Sequence, residues 1–155
     1  MNDLNSSSIL LLNGPNLNLL GEREPLIYGT KTLVELEKSL TIRAKGLGYR
    51  LITKQSNSEG CLIDLIQRFR HGTDQSAAGI IINPAAYTHT SVAIRDALIA
   101  AKLPSIEVHI SQLAKRESFR QKSLISDVVL GTVSGFGLYG YELALLALVN
   151  HLEDV

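Results

Sequence analysis

The run Gly79-Ile-Ile-Ile-Asn83 constrains this chain more than any other segment. Three β-branched apolar residues in succession, bounded by Gly and Asn-Pro, describe a strand buried on both faces, as in the centre of a parallel sheet covered by helices. The rest of the chain agrees. Ile9–Leu12 is a second short apolar run, Arg50–Gln55 alternates as a strand, and Pro104–Val108 and Val128–Val133 read as two more. Helical periodicity fills the gaps. Leu33–Leu47 carries Leu33, Leu36, Leu40 and Ala44 at helical spacing, and Gly48 stops it. Gly60–Phe69 repeats the pattern with Leu62, Leu65, Ile66 and Phe69, Ser91–Ala101 is a third helix, and Leu138–Leu152 is a strongly apolar last one. Counted as β/α units, the chain has five. The expected fold is α/β: an open, doubly wound, five-stranded parallel sheet of order 2-1-3-4-5 with helices on both faces. Its ligand crevice belongs outside the C-terminal ends of strands 1 and 3.

The unusual polar residues collect at that edge. Asn13–Asn16 ends strand 1, Asn57–Glu59 ends strand 2, Asn83–Ser91 follows strand 3, and Glu107–Ser111 ends strand 4. The segment from Asn13 to Gly29 is too long for an ordinary connection, and loops of that length are usually functional or disordered. Leu17, Leu19, Leu20, Leu26 and Ile27 give it enough apolar surface to fold back, while its Asn residues, Arg23 between two acids, and Tyr28 suit a flap closing over a small ligand.

Composition narrows the function. Residues 1–8 read as a short flexible leader and 9–155 as a single catalytic domain. Fifteen basic residues balance fifteen acidic ones, which removes the global electrostatic case for nucleic acid. Cys61 is the sole cysteine, so an intramolecular disulfide and a thiolate metal cluster are both excluded, and a reducing, cytoplasmic setting is expected. No signal peptide or membrane-length apolar run is evident.

Four chemistries compete for these residues. Gly135-Phe-Gly-Leu-Tyr-Gly140 matches a dinucleotide-binding glycine pattern, but no strand with an acidic residue about 20 positions on follows it. It reads as a tight turn that lets the last helix pack closely. The four histidines fall in different elements without metal-ligand spacing, so no metal is expected; His71 and His151 sit at helix ends. No Ser nucleophile elbow exists, and Cys61 reads more simply as a small buried residue than as a nucleophile. Acid–base chemistry without a cofactor remains. His109 and His89 share the predicted crevice, and imidazole titrates near neutrality. Arg120 can pair with a carboxylate or hydroxyls. Tyr28, with a reference pKa of about 10, can act as a base only where a cation such as Arg23 stabilises the phenolate.

In order, Asn13-Gly-Pro-Asn-Leu-Asn-Leu-Leu-Gly21, Arg23-Glu-Pro25, Tyr28-Gly29, Gln55-Ser-Asn57, Asn83-Pro84, Tyr87-Thr-His-Thr-Ser91, Arg95-Asp-Ala97, Glu107-Val-His-Ile-Ser111, Arg116-Glu-Ser-Phe-Arg120 and Gly140-Tyr141 resemble the type II 3-dehydroquinate dehydratases over nearly the whole chain. The resemblance implies a flavodoxin-like fold. It implies cofactor-free anti elimination of water from 3-dehydroquinate, through an enolate, in the shikimate or quinate pathway. By position, it makes Tyr28 the base at C2 and Arg23 its phenolate partner. Asn16 would hold a water on the enolate oxygen, His109 would be the acid for the leaving hydroxyl, and Glu107 would orient that imidazole. Ile110 and Ser111 would hold the substrate carboxylate, with Asn83, His89 and Arg120 binding its carboxylate and hydroxyl groups. Asp96 would reach a neighbouring subunit's site in a dodecamer built of trimers. Ser58 departs from the His that many members carry, and Gln121–Ile125 is too undistinctive to receive a role. The alternative is a flavodoxin-like binding or signalling module, but neither the acidic cluster of a receiver domain nor the Ser/Thr-rich loop of a flavin carrier follows strand 1.

Overall fold

A computed structural model of the chain describes residues 7–22, 26 and 29–154. Its sheet has five strands, β1 (Ser8–Asn13), β2 (Arg50–Gln55), β3 (Gly79–Asn83), β4 (Ser105–His109) and β5 (Gly131–Ser134). They are all parallel and lie in the order β2-β1-β3-β4-β5. The helices are α1 (Leu33–Gly46), α2 (Glu59–Phe69), α3 (Val92–Ala101) and α4 (Tyr139–Glu153).

Strand alternation divides the core in two. Ile9, Leu11, Ile81, Ile106 and Val108 point to the face covered by α1 and α4, where they meet Leu36, Leu40, Leu145 and Leu148. Leu10, Leu12, Ile80 and Ile82 point to the face covered by α2 and α3, against Leu62, Ile66, Ile94 and Leu98. Both faces of β1 and β3 are therefore apolar, which is why those strands read as unbroken hydrophobic runs.

Helix starts follow local chemistry. Thr32 caps α1 in a reciprocal capping box with Glu35, and the side chains of Ser58 and Ser91 cap α2 and α3. Ser58, the departure noted above, thus has a role of its own: its hydroxyl accepts from the Cys61 N–H.

Two expectations require correction. β4 is not followed by a helix. Two 3₁₀ turns, Leu113–Lys115 and Ser118–Arg120, and an irregular stretch link it to β5, so the five expected β/α units carry four helices among the described residues. β5 starts at Gly131, not Val128; Val128 and Val129 pack half-buried against the α2–α3 core instead of joining the ladder. The remaining boundaries move by one residue: β1 starts at Ser8, β4 ends at His109, and Ser91 is the cap of α3 and not its first residue.

The register aligns the polar strand ends. Asn13 lies between Gln55 on one side and Asn83 on the other, and His109 pairs with Ser134.

Candidate active site

The cleft begins where the chain leaves β1. Gly14 donates its N–H to Asn83 O at 2.8 Å, and a Cβ at Gly14 would lie 2.5 Å from Pro84 O, so only glycine lets the two strand ends approach this closely. Asn16 then adopts a left-handed conformation (φ 67°), with its N–H held by Asn57 Oδ1 at 2.9 Å. Asn57 is itself fixed by Gln55 Nε2 at 3.1 Å. A short 3₁₀ turn at Leu17–Leu19 follows, with Leu17 and Leu20 buried beneath it.

Beneath the cleft, Tyr141 from α4 joins the two strand-end amides. Its hydroxyl donates to Asn13 Oδ1 and accepts from Asn83 Nδ2, both at 2.8 Å. Asn83 Oδ1 accepts the Ala85 N–H at 3.1 Å, holding Ala85 at φ 51° in the cleft wall. Burial pushes the Tyr141 hydroxyl far above the usual phenol range, so it stays protonated.

β4 supplies the ionisable groups. Its face toward α2 and α3 bears Ser105, Glu107 and His109, all buried. Glu107 is fully buried and surrounded by donors: His109 Nε2 at 2.5 Å, Thr88 Oγ1 at 2.5 Å, Ser123 Oγ at 2.9 and 3.0 Å to its two oxygens, and Thr132 Oγ1 at 3.3 Å. Burial pushes its carboxyl up, but the His109 hydrogen bond and charge and the Thr88 and Ser123 hydroxyls outweigh burial and hold it below the usual carboxylate range. A carboxylate only accepts, so His109 Nε2 carries the proton in this pair, and Nδ1 is the nitrogen left for chemistry in the cleft. His89 is oriented in the same way. Its Nδ1 lies 2.8 Å from the Lys122 carbonyl, which can only accept, so Nε2 presents a lone pair when the ring is neutral.

Past β4, the cleft becomes cationic. Arg116 and Arg120 line it; Arg116 Nη1 donates to Ser111 Oγ at 3.0 Å, and Arg120 lies 3.3 Å from Glu117 with its guanidinium over the Phe119 ring. Among the described residues no acceptor takes the backbone N–H of Ile110 or Ser111. These two amides, in a cleft that Arg116 and Arg120 also line, suit a small anion. The cleft holds about 170 Å³, below the roughly 300–1,000 Å³ of drug-sized pockets, which favours a compact ligand.

Residues 7–149 match the family model described as dehydroquinase class II. The chain belongs to the class II dehydroquinase family. It is 53% identical over 145 residues to the 3-dehydroquinate dehydratase of Carboxydothermus hydrogenoformans, covering 94% of this chain and 92% of that protein. It is 55% identical over 145 residues to the Bordetella avium enzyme of the same name, covering 93% and 98%. Among solved structures, the type II dehydroquinase from Propionibacterium acnes superposes with a TM-score of 0.86 at 46% identity, covering 94% of this chain and 97% of that one.

In this dehydroquinase-family chain, Asn16, Asn83, His89, His109, Ile110, Ser111 and Arg120 line one cleft, with Glu107 buried behind His109. Asp96 is not among the lining residues; it is exposed on α3. Arg23 and Tyr28 lie outside the described residues. Cys61 is exposed at the start of α2, not buried as its type suggested. The glycine motif is a turn: Gly135 and Gly137 have positive φ, and Gly140 sits where a Cβ would lie 3.4 Å from Val133 and 3.5 Å from Val108. Among the described residues no group of His, Cys, Asp or Glu is arranged to hold a metal ion, and no helix is long and apolar enough to cross a membrane.

Sequence reasoning missed Arg116, Thr88, Ser123, Thr132 and Tyr141 as parts of the site. Thr88 and Arg116 stood inside motifs already singled out. Ser123 and Thr132 carry no local pattern, because their roles arise only where distant segments meet at Glu107.

Proposed function

We propose that this chain dehydrates 3-dehydroquinate to 3-dehydroshikimate in the shikimate or quinate pathway, by anti elimination of water without a cofactor. The observation that carries the reading is the buried Glu107–His109 pair opening onto a small cationic cleft, in a chain of this family. The substrate carboxylate binds the Ile110 and Ser111 N–H groups, with Arg120 nearby. Asn83 and His89 bind its carboxylate and hydroxyl groups, with the His89 ring held at Nδ1 by the Lys122 carbonyl.

Tyr28, as phenolate beside Arg23, removes the proton at C2. The electron pair moves onto the ketone as an enolate, stabilised by a water that Asn16 holds. As the ketone reforms, the C1–O bond breaks and the hydroxyl takes a proton from the His109 imidazolium, leaving as water. Glu107, kept charged among its donors, favours that imidazolium and holds its ring in place. Hydroxide is a poor leaving group until it is protonated to water, so elimination depends on this pair.

The working form is a homo-oligomer, a dodecamer built of trimers, in which Asp96 reaches a neighbouring site. Val92, Asp96 and Ile99 support this: at helical spacing they share one face of α3, where Val92 is 58% and Ile99 53% exposed. Apolar side chains flanking a carboxylate on an open face suit a subunit contact.

Ultraviolet absorbance tests the activity, since the product is a conjugated enone carboxylate and the substrate is not. A rising signal on adding 3-dehydroquinate, unchanged by chelator, is expected. Folded protein that gives no signal overturns the reading in favour of a binding module.

A further inference from the structure

We infer that Ser123 is a positioning residue for the acid group of this site, and that the segment Lys122–Leu124 is the common support of both cleft histidines. The inference rests on the reading of His109 as the acid.

The Ser123 hydroxyl sits between two sets of partners. It accepts the Ile125 and Ser126 N–H groups, each at 3.1 Å, opening a turn closed by Val128 N–H on Ile125 O at 3.0 Å. It has one hydrogen to donate, and that hydrogen faces both Glu107 oxygens, at 2.9 and 3.0 Å. Two amides donating to an oxygen polarise its O–H, making it a stronger donor to a carboxylate. Donation straddling both oxygens also fixes the carboxylate plane, and with it the direction in which Oε1 meets His109.

The residues on either side extend the support. Lys122 O fixes the His89 ring at 2.8 Å, and Leu124 N–H donates to Thr88 O at 2.8 Å, next to the hydroxyl that also bonds Glu107. From outside, Arg95 on α3 donates to Leu124 O at 2.8 Å and grips the Asp127 carboxylate with both terminal nitrogens. Three consecutive residues with no regular structure are therefore tied on both sides. Their inner edge is all hydrogen-bonding groups aimed at the elements that carry His89, Glu107 and His109.

The elements near Glu107 carry His109 on its own strand, His89 on the Ala85–His89 turn, and Arg120 and Lys122 on the segment approaching Ser123; of these described charged and titratable groups only His109 bonds its carboxyl. Removing the Ser123 donor leaves the carboxylate less stabilised, so it takes up a proton at higher pH, and the protonated form no longer favours the imidazolium.

The test is the pH titration profile of the Glu107 carboxyl, read by carbon-13 NMR in Ser123→Ala and Ser123→Thr with folding followed by circular dichroism, because the acid limb of kcat also contains protonation of the Tyr28 phenolate. In Ser123→Ala the midpoint of that titration moves up by about one pH unit, on the scale of one charge-assisted hydrogen bond, while KM stays near its original value. Ser123→Thr keeps the hydroxyl and restores the midpoint. An unmoved midpoint in folded Ser123→Ala overturns the inference, as does a shift that Ser123→Thr fails to restore. Should the alanine variant not fold, Ser123→Cys keeps the shape and a weak donor; it must shift the midpoint the same way by less, and no shift overturns the inference. His109→Ala separates the two levels. If that variant keeps its turnover, the reading of His109 as the acid fails; if it loses turnover while Ser123→Ala leaves the midpoint in place, only the role of Ser123 fails.

Discussion

Tyr141→Phe tests the network beneath the cleft with little change of shape. Phenylalanine fills the same space without the oxygen, so cavity and packing terms nearly cancel and the effect is the loss of two hydrogen bonds. Both are 2.8 Å long, and the residues involved are almost inaccessible: Tyr141 and Asn13 are 0% exposed and Asn83 is 3%. No water can replace the hydroxyl in a space already filled by the ring. The polar atoms left unpaired would be Asn13 Oδ1 and one Asn83 N–H, and leaving a buried polar group unpaired costs about 1–3 kcal/mol. Asn13 is the more sensitive, because its Nδ2 already makes no hydrogen bond of normal geometry, although the Glu37 carboxyl is close enough to interact with it. The two groups together imply a loss of about 2–6 kcal/mol. At about 2–4 °C per kcal/mol for a domain of this size, a central loss of about 4 kcal/mol lowers Tm by about 8–16 °C. Far-ultraviolet circular dichroism in a denaturant titration at fixed protein concentration reads it. Tyr139→Phe is the control, since Tyr139 is 57% exposed and such surface changes stay within about 0.5 kcal/mol. If Tyr141→Phe loses no more than Tyr139→Phe, the hydroxyl does not bridge the two amides as described.

Three further outcomes follow from other parts of the site. Gly14→Ala places a Cβ 2.5 Å from a backbone oxygen and costs about 1–3 kcal/mol by thermal melting; Gly46→Ala, with no neighbour within 4 Å of its added Cβ, gains stability instead, and equal effects at both would sink the close-approach argument. Tyr28→Phe lowers kcat by roughly 10²–10⁴-fold while substrate still binds by calorimetry, and near-normal turnover removes Tyr28 as the base. Because the Glu107 carboxyl lies below its ordinary range in the fold, it stabilises the native state above about pH 4.3, and that contribution is lost as pH falls through the folded value. Melting curves from pH 6 to 3 therefore fall less steeply for Glu107→Gln than for the unaltered chain; parallel curves would mean Glu107 does not carry the linkage.

Periodicity made the sheet legible, and the end of periodicity marked where it stopped being so. Ile80–Ile82 and Ile9–Leu12 are apolar on both faces because both faces are covered, and that pattern is local. The stretch from Ile110 to Leu130 has no repeat to read. Its 3₁₀ turns are three residues each, and Ile125, fully buried, is an isolated apolar residue in a polar segment. Val128 and Val129 look like a strand because β-branched residues favour one, but they pack on the α2–α3 side of the core and the ladder starts only at Gly131. The β4 side of the site was half legible. Glu107-Val-His109 shows a strand with its charged residues on one face, whereas the hydroxyls of Ser123 and Thr132 that make that face tolerable come from 16 and 25 residues away.

The features that local preference disfavours are also distributed unevenly. Three non-glycine residues among those described have positive φ: Asn16, Ala85 and Lys102. Lys102 ends α3, where a left-handed residue is ordinary. Asn16 and Ala85 both line the cleft, and Ala85 has no side-chain polarity to compensate for a conformation that costs an L-residue about 1–2 kcal/mol. Glu107 adds a fully buried carboxylate at a position where alternation on β4 would otherwise place an apolar core residue. Each is held by named partners: Asn57 Oδ1 accepts the Asn16 N–H, Asn83 Oδ1 accepts the Ala85 N–H, and Thr88, Ser123, Thr132 and His109 donate to Glu107. Nothing in folding alone requires three such compromises at one sheet edge. Placing Asn16, the Ala85 wall and an aimed His109 around one small cavity does require them, and strain collected at a binding site while the rest of the fold follows local rules is how a site built for catalysis differs from a gap in packing.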